Sequence, residues 1–179
     1  MSLSDLASLG SFAGGIAVII SFVFLGLQLR QANLNQRSLI QQGRSDRTVS
    51  ALQRLTDERA SGIVTRVFKG DRTLNDAELF SFYGMAASIF WSYEDSFLQF
   101  QSGSLDAKSW NSDVSTLRGL LTNPAYRAAW RAGREAIVDE YRDFMDAMML
   151  EVKGRTPRNV ATAISQLLAE EFEATKAVG

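Results

Sequence analysis

Glu94 is the side chain in this sequence with the strongest claim to chemical function. On a helix, Phe90, Trp91, Phe97 and Leu98 lie within about one turn of it and share its face. A carboxylate in apolar surroundings needs a partner; without one it has a raised pKa or serves as a metal ligand. Two functional interpretations, a general acid and a carboxylate metal site, therefore compete with a structural ion pair.

A row of arginines offers the partner that Glu94 needs. Arg127, Arg131 and Arg134 stand at i, i+4 and i+7 beside Tyr126 and Trp130, so on a helix they form one stripe. Glu94 has no second carboxylate three or four residues further on, as a carboxylate metal site in a helical bundle requires. We therefore predict a buried ion pair between Glu94 and this row. The alternative is a small-molecule sensor or an enzyme with its pocket near Glu94.

The composition removes most other catalytic chemistry. The 179 residues include no histidine and no cysteine, which excludes imidazole-assisted nucleophiles, thiolate chemistry and the usual zinc sites. We predict no catalytic residue, no cofactor-binding or metal-binding residue and no cofactor. The net charge of −1 argues against nucleic acid as a partner, and 46% apolar residues suffice for a buried core.

The first 30 residues predict a membrane anchor. No charged residue lies between Asp5 and Arg30, and the apolar stretch from Leu6 to Leu29 is long enough, at about 36 Å as a helix, to cross a hydrocarbon core of about 30 Å. A cleavable signal peptide and a buried core helix are the alternatives. A signal peptide needs a basic start, which is absent here. Because arginines follow the span and none precedes it, we predict a single span with the N-terminus outside and the body in the cytoplasm.

Small residues recur every four positions within the predicted span. Such rows allow close helix–helix approach in membranes, although glycine is also simply common in membrane helices. The candidate residues for helix–helix association are Ala7, Gly10, Ser11, Gly14 and Gly15.

A polar segment rich in arginine follows the span and predicts a continuous helix that leaves the membrane as a stalk. Its arginines repeat at intervals of seven, which places them in nearly straight stripes on a helix. Three interpretations stay open: a solvated positive-inside flank, contact with anionic lipid headgroups, and ion pairs with another subunit. The candidate residues for lipid or partner contact are Arg30, Arg37, Arg44, Arg47 and Arg54.

The rest of the chain predicts further helices and no strands, so the fold class is all-α. Cap residues and apolar periodicity divide it into short amphipathic helices and one long aromatic helix, which a capping box at Asn75 and Glu78 begins and Gly103 ends. This aromatic helix must lie at the centre of the core or partly against another subunit or the bilayer surface. The last helix is expected from about Pro157 to Lys176. The predicted regions are an anchor at 1–29, a stalk at 30–56, a compact helical bundle at 57–153 and a C-terminal amphipathic helix at 154–179.

Several ordered segments resemble one family. Residues 15–21 and 28–33, then 90–95, 103–106, 123–124 and 141–146, are similar to a widespread group of small bacterial proteins of unknown function that begin with a single span. The resemblance covers about residues 10–150. It implies a bacterial inner-membrane anchor with a cytoplasmic helical domain, and it brings no activity or catalytic residue.

Together these features favour a non-enzymatic membrane-anchored assembly or scaffold protein that forms homo-oligomers. The partners expected are the membrane, a second copy or another membrane protein, and anionic lipids. An accessory subunit of a larger bacterial membrane complex is the first alternative, and a sensor or enzyme is the second.

Overall fold

The computed structural model describes residues 2–157 and 160–178, and within these ranges the protein is all-helical, with 86% helix and no strand. Its elements, in chain order, are α1 (Leu3–Leu55), α2 (Glu58–Phe68), α3 (Asp76–Gln101), α4 (Ala107–Leu121), α5 (Pro124–Gly133), a single 3-10 turn (Arg134–Ala136), α6 (Asp139–Val152) and α7 (Val160–Val178). The chain divides into two units after Asp46.

The first unit is the N-terminal part of α1. No proline interrupts its helical backbone hydrogen bonds. Within its apolar stretch, the hydroxyl of Ser21 donates to the carbonyl of Ala17 at 2.8 Å. The most apolar 18-residue window of α1 has a mean hydropathy of 2.2, and none of it is buried within the chain. By length and composition this helix is able to cross a membrane.

Local sequence signals set the limits of the helices in the second unit. Asn75 accepts the N–H of Glu78, whose carboxylate accepts the N–H of Asn75, which is the capping box that their spacing predicts. Gly103 ends α3 at φ 72°, and the N–H of Ser104 reaches back to the carbonyl of Gln99 at 2.9 Å. The last helix begins at Val160, and residues 158 and 159, where the sequence places its first turn, lie outside the described residues.

Helix α3 supplies the centre of the second unit, packing against α2, α4 and α5. Phe90 meets Trp130 edge to face with ring centroids 5.3 Å apart, and Phe97 lies 5.3 Å from Tyr141. The largest side chains that are fully buried in this unit are Leu117, Leu121, Trp130, Tyr141, Met145 and Val152. The aromatic helix is therefore the middle of the core, as its composition predicts, although one stripe of it remains exposed.

Candidate functional site

Glu94 holds a helix end. Its Oε1 accepts the backbone N–H of Val138 at 2.9 Å, and Val138 is the N-cap residue of α6, where it has no polar side chain of its own. A carboxylate at a helix N-terminus satisfies a free N–H and is stabilised by the helix dipole. Glu94 thus joins α3 to the start of α6, which is a structural role.

In the structure, two arginines of the predicted row bind groups other than Glu94. Arg127 donates through Nη1 to the carbonyls of Leu121 and Thr122, both at 2.7 Å, where α4 ends. Helix C-termini carry unpaired carbonyls and partial negative charge, so a guanidinium there is well matched. Arg131 is exposed.

Arg134 pairs instead with Asp146 on α6, a residue that the sequence reasoning did not single out. Asp146 receives two donors: Nη1 of Arg134 on one carboxylate oxygen, and Nε1 of Trp130 on the other at 2.8 Å. Trp130 is 1% exposed, so its N–H has no access to water and needs this acceptor. The sequence signal that could have predicted such an acceptor was Trp130 itself, one turn before Arg134, because a buried Trp N–H requires a partner.

A small concavity lies between α3 and α5, close to the position where the sequence allows a ligand pocket. Its free volume is about 10 Å³, room for about one water molecule. Gly133 is needed at its wall because a Cβ there would collide with the Tyr83 hydroxyl and lie 3.1 Å from its ring carbon Cζ. The lining residues are Tyr83, Ala87, Phe90, Trp91, Ala129, Trp130, Gly133 and Ile137.

The core holds a tyrosine hydroxyl with no partner. Tyr141 is 0% exposed, and its hydroxyl has no hydrogen bond within the part of the chain that the structure describes. Burial, reinforced by the charge of Glu94, raises the pKa of this phenol well above its usual range. The group is therefore neutral at physiological pH.

Arg66 binds two carboxylates in the second unit, an arrangement that was also unforeseen from the sequence. Its Nε contacts Asp71 at 2.7 Å and its Nη1 contacts Glu78 at 2.6 Å, so it ties the loop after α2 to the first turn of α3. The hydrogen bond from Arg66, with two more from Thr73, lowers the pKa of Asp71 to about 2. No group of three or more potential metal ligands occurs among the described residues that carry such side chains.

The arginines predicted to contact lipid or a partner differ in their contacts and exposure in the structure. Arg47 pairs with Asp95 at 2.6 Å; Asp95 is a carboxylate of α3 that the C-terminal end of α1 brings within reach. Arg44 donates to Oε1 of Gln41 at 3.1 Å. Arg30, Arg37 and Arg54 are exposed.

The small residues of the apolar stretch are also exposed. A Cβ added to any glycine of the row would meet no atom within 4 Å, so the space beside these glycines is open to a neighbouring helix. The residues concerned are Ala7, Gly10, Ser11, Gly14 and Gly15.

Comparison of the chain with protein-family models, with curated proteins and with solved structures finds no match.

Proposed function

We propose that this protein is a non-enzymatic, membrane-anchored assembly protein that forms homo-oligomers. One observation carries the proposal: the apolar stretch of α1 is free of charge from Leu6 to Leu29, and none of its most apolar window is covered by the rest of the chain. An uncovered apolar surface of this size is costly in water, and a bilayer is the solvent that suits it.

The proposed arrangement is a single span, an arginine-bearing stalk and a cytoplasmic bundle in the bacterial inner membrane. The positive-inside rule supports the orientation, since Arg30 and Arg37 follow the apolar stretch and no Lys or Arg precedes it. Both side chains are exposed and suit anionic headgroups. The resemblance to small bacterial single-span proteins supports the same arrangement.

The contact that Glu94 makes in the candidate site supports a role other than catalysis. Glu94 serves as a cap for α6, and the concavity near it has room for about one water. Function must be argued from a site, and the charged pairs described above hold helices and loops together. An assembly role needs only surfaces, which the chain has in the glycine row of α1 and in the exposed apolar residues of α3 and α7.

The experiment that tests the proposal is the mass and subunit composition of the particle extracted from its native membrane in a mild detergent. We expect resistance to alkaline extraction, an uncleaved N-terminus and a particle mass that is a multiple of 19.8 kDa plus detergent. Other stoichiometric polypeptides would make the protein an accessory subunit. Release by alkali, or a single copy alone, would refute the proposal.

Association through the glycine row is tested by Gly14→Leu, with Gly26→Leu as a matched control at a glycine outside the row. Both glycines have open space around the position of a Cβ. If the row forms the contact, the first change reduces the number of copies in the particle and the second does not. Equal effects of the two changes would argue against the row.

A further inference from the structure

The arginines that follow the apolar stretch of α1 form a basic stripe without acidic neighbours. Between Asp5 and Asp46 the charged residues are Arg30, Arg37 and Arg44, so this part of the helix contains no carboxylate. Ion pairs within a helix join residues three or four apart, and neither Arg30 nor Arg37 has an acidic residue at that spacing. Both side chains are exposed. Their charge is therefore open to an anionic partner from outside the helix.

Distance from the bilayer centre separates the three arginines. When the stretch from Leu6 to Leu29 is centred in an upright span, the helical rise places the Cα atoms of Arg30, Arg37 and Arg44 about 19, 29 and 40 Å from that centre. The headgroup region ends about 20–22 Å from the centre. Arg30 thus lies in the headgroup layer, Arg37 about 7 Å outside it and Arg44 about 18 Å outside it.

The direction of helical side chains brings Arg37 closer to the headgroups. Cα–Cβ bonds of an α-helix tilt towards its N-terminus, which in α1 is the side of the apolar stretch. Arg44 shows this direction, because its Nη1 donates to Oε1 of Gln41, about one turn nearer the N-terminus, at 3.1 Å. The same tilt carries the guanidinium of Arg37 towards the headgroup layer, whereas Arg44 stays more than one Debye length of about 8 Å away.

The two arginines face away from the glycine pair at the centre of the proposed helix–helix contact. At about 100° of rotation per residue in a straight helix, Arg30 lies about 160° from both Gly10 and Gly14, and Arg37 lies about 140–180° from them. Gly15, at the edge of the row, is about 40–60° from the arginines. A contact centred on Gly10 and Gly14 therefore leaves Arg30 and Arg37 facing lipid and not the second copy.

Acidic phospholipids supply the charge that this stripe lacks. The cytoplasmic leaflet is anionic, and one Lys or Arg near its surface strengthens binding about fivefold. A guanidinium also suits a phosphate group, because it can donate two parallel hydrogen bonds to the phosphate oxygens. Carboxylates of a second copy are the competing partner, and the orientation of the stripe relative to Gly10 and Gly14 argues against them.

We propose that Arg30 and Arg37 bind the phosphate groups of anionic phospholipids, Arg30 within the headgroup layer and Arg37 from just outside it, and that Arg44 does not take part. The inference rests on the proposed membrane span and adds to it a lipid preference carried by two residues. The helix that crosses the membrane then also selects the lipids around the protein.

Electron paramagnetic resonance of spin-labelled lipids tests the preference. The full chain is reconstituted into phosphatidylcholine vesicles at 0.15 M salt with a trace of lipid labelled on its acyl chain, carrying either a phosphatidylglycerol or a phosphatidylcholine headgroup. The immobilised fractions of the two labels give the preference for acidic lipid. We expect phosphatidylglycerol to be preferred by at least about threefold, and the preference to fall towards one at 1 M salt, where the Debye length is about 3 Å.

Three matched variants each remove one positive charge from the same face of the helix: Arg30→Gln, Arg37→Gln and Arg44→Gln. We expect Arg30→Gln to reduce the preference most, Arg37→Gln to reduce it less, and Arg44→Gln to change it by less than about 1.2-fold. The double variant Arg30→Gln/Arg37→Gln should show a preference below about 1.5-fold. Because both leaflets of the vesicles have the same composition, an inverted orientation would not alter the measurement.

The outcomes separate lipid binding from the proposed function. An unchanged preference in the double variant, or equal losses in Arg44→Gln and Arg30→Gln, would overturn the inference, and resistance to alkaline extraction would leave the membrane span standing. Fewer copies in the particle of the double variant, with an unchanged lipid preference, would place the stripe against a second subunit and would equally overturn it. Release of the unchanged protein by alkali would refute the proposed function itself.

Discussion

Substitution of Asp146 probes the carboxylate that accepts from Trp130 and pairs with Arg134. Asp146→Ala leaves the N–H of Trp130 buried without an acceptor, at a cost of about 1–3 kcal/mol. Loss of the pair with Arg134, whose side chain is 36% exposed, adds about 0–1 kcal/mol because solvent screens it. We therefore expect Asp146→Ala to lower the free energy of unfolding by about 1–4 kcal/mol, which corresponds to a fall in Tm of about 2–16 °C for a chain of this size.

The assay is unfolding of the full chain in detergent, followed by tryptophan fluorescence and near-UV circular dichroism. Asp146→Asn keeps an oxygen that accepts from Trp130, so it should cost about 1 kcal/mol or less. Asp143→Ala, on the exposed side of the same helix, is the matched control and should change the stability by less than about 0.5 kcal/mol. The reasoning is refuted if Asp146→Ala is as mild as Asp143→Ala, or if Asp146→Asn is as damaging as Asp146→Ala.

Three further predictions concern the second unit. Gly133→Ala should cost about 1–3 kcal/mol in a denaturant titration because the new methyl group meets the Tyr83 hydroxyl, and Tyr83→Phe should recover part of that loss; no recovery would contradict the clash. Tyr141→Phe removes a buried hydroxyl without a partner, so unfolding should show no loss or a gain of up to about 1 kcal/mol, and a loss above about 1 kcal/mol would reveal a hidden partner. The pKa of Asp71 is about 2 in the folded protein and 3.8 ordinarily, so its contribution to stability is present above about pH 4 and is lost as the pH falls through 2; Tm measured from pH 5 to 2 should fall less steeply in Asp71→Asn.

Elements coded by neighbouring residues were predictable from the sequence. The capping box of Asn75 and Glu78 and the end of α3 at Gly103 depend on contacts within about five residues, and both appear where the sequence predicts them. The long apolar N-terminal helix follows in the same way from an absence of charge and proline.

For charged side chains, the need for a partner was predictable from the sequence, but the identity of the partner was not. The sequence shows that Glu94 requires a partner and supplies several arginines, but the choice depends on how helices rotate and approach. In the fold Glu94 accepts the N–H of Val138, and Arg134 pairs with Asp146, whose other carboxylate oxygen accepts from Trp130. A rotation of about 100° per residue carries a side chain to another face, so small uncertainties in helix limits change every distant pairing.

The amino-acid sequence by itself therefore determined the helical class, the charge-free apolar stretch of α1 and the lack of imidazole and thiol chemistry, because these depend on composition and on local spacing. Only the tertiary structure decided that Glu94 is a helix cap, that Arg47 is held by Asp95 and that the concavity near Trp91 has room for about one water. These features depend on distances between residues far apart in the chain, which are fixed when the side chains of all the packed helices compete for the same core.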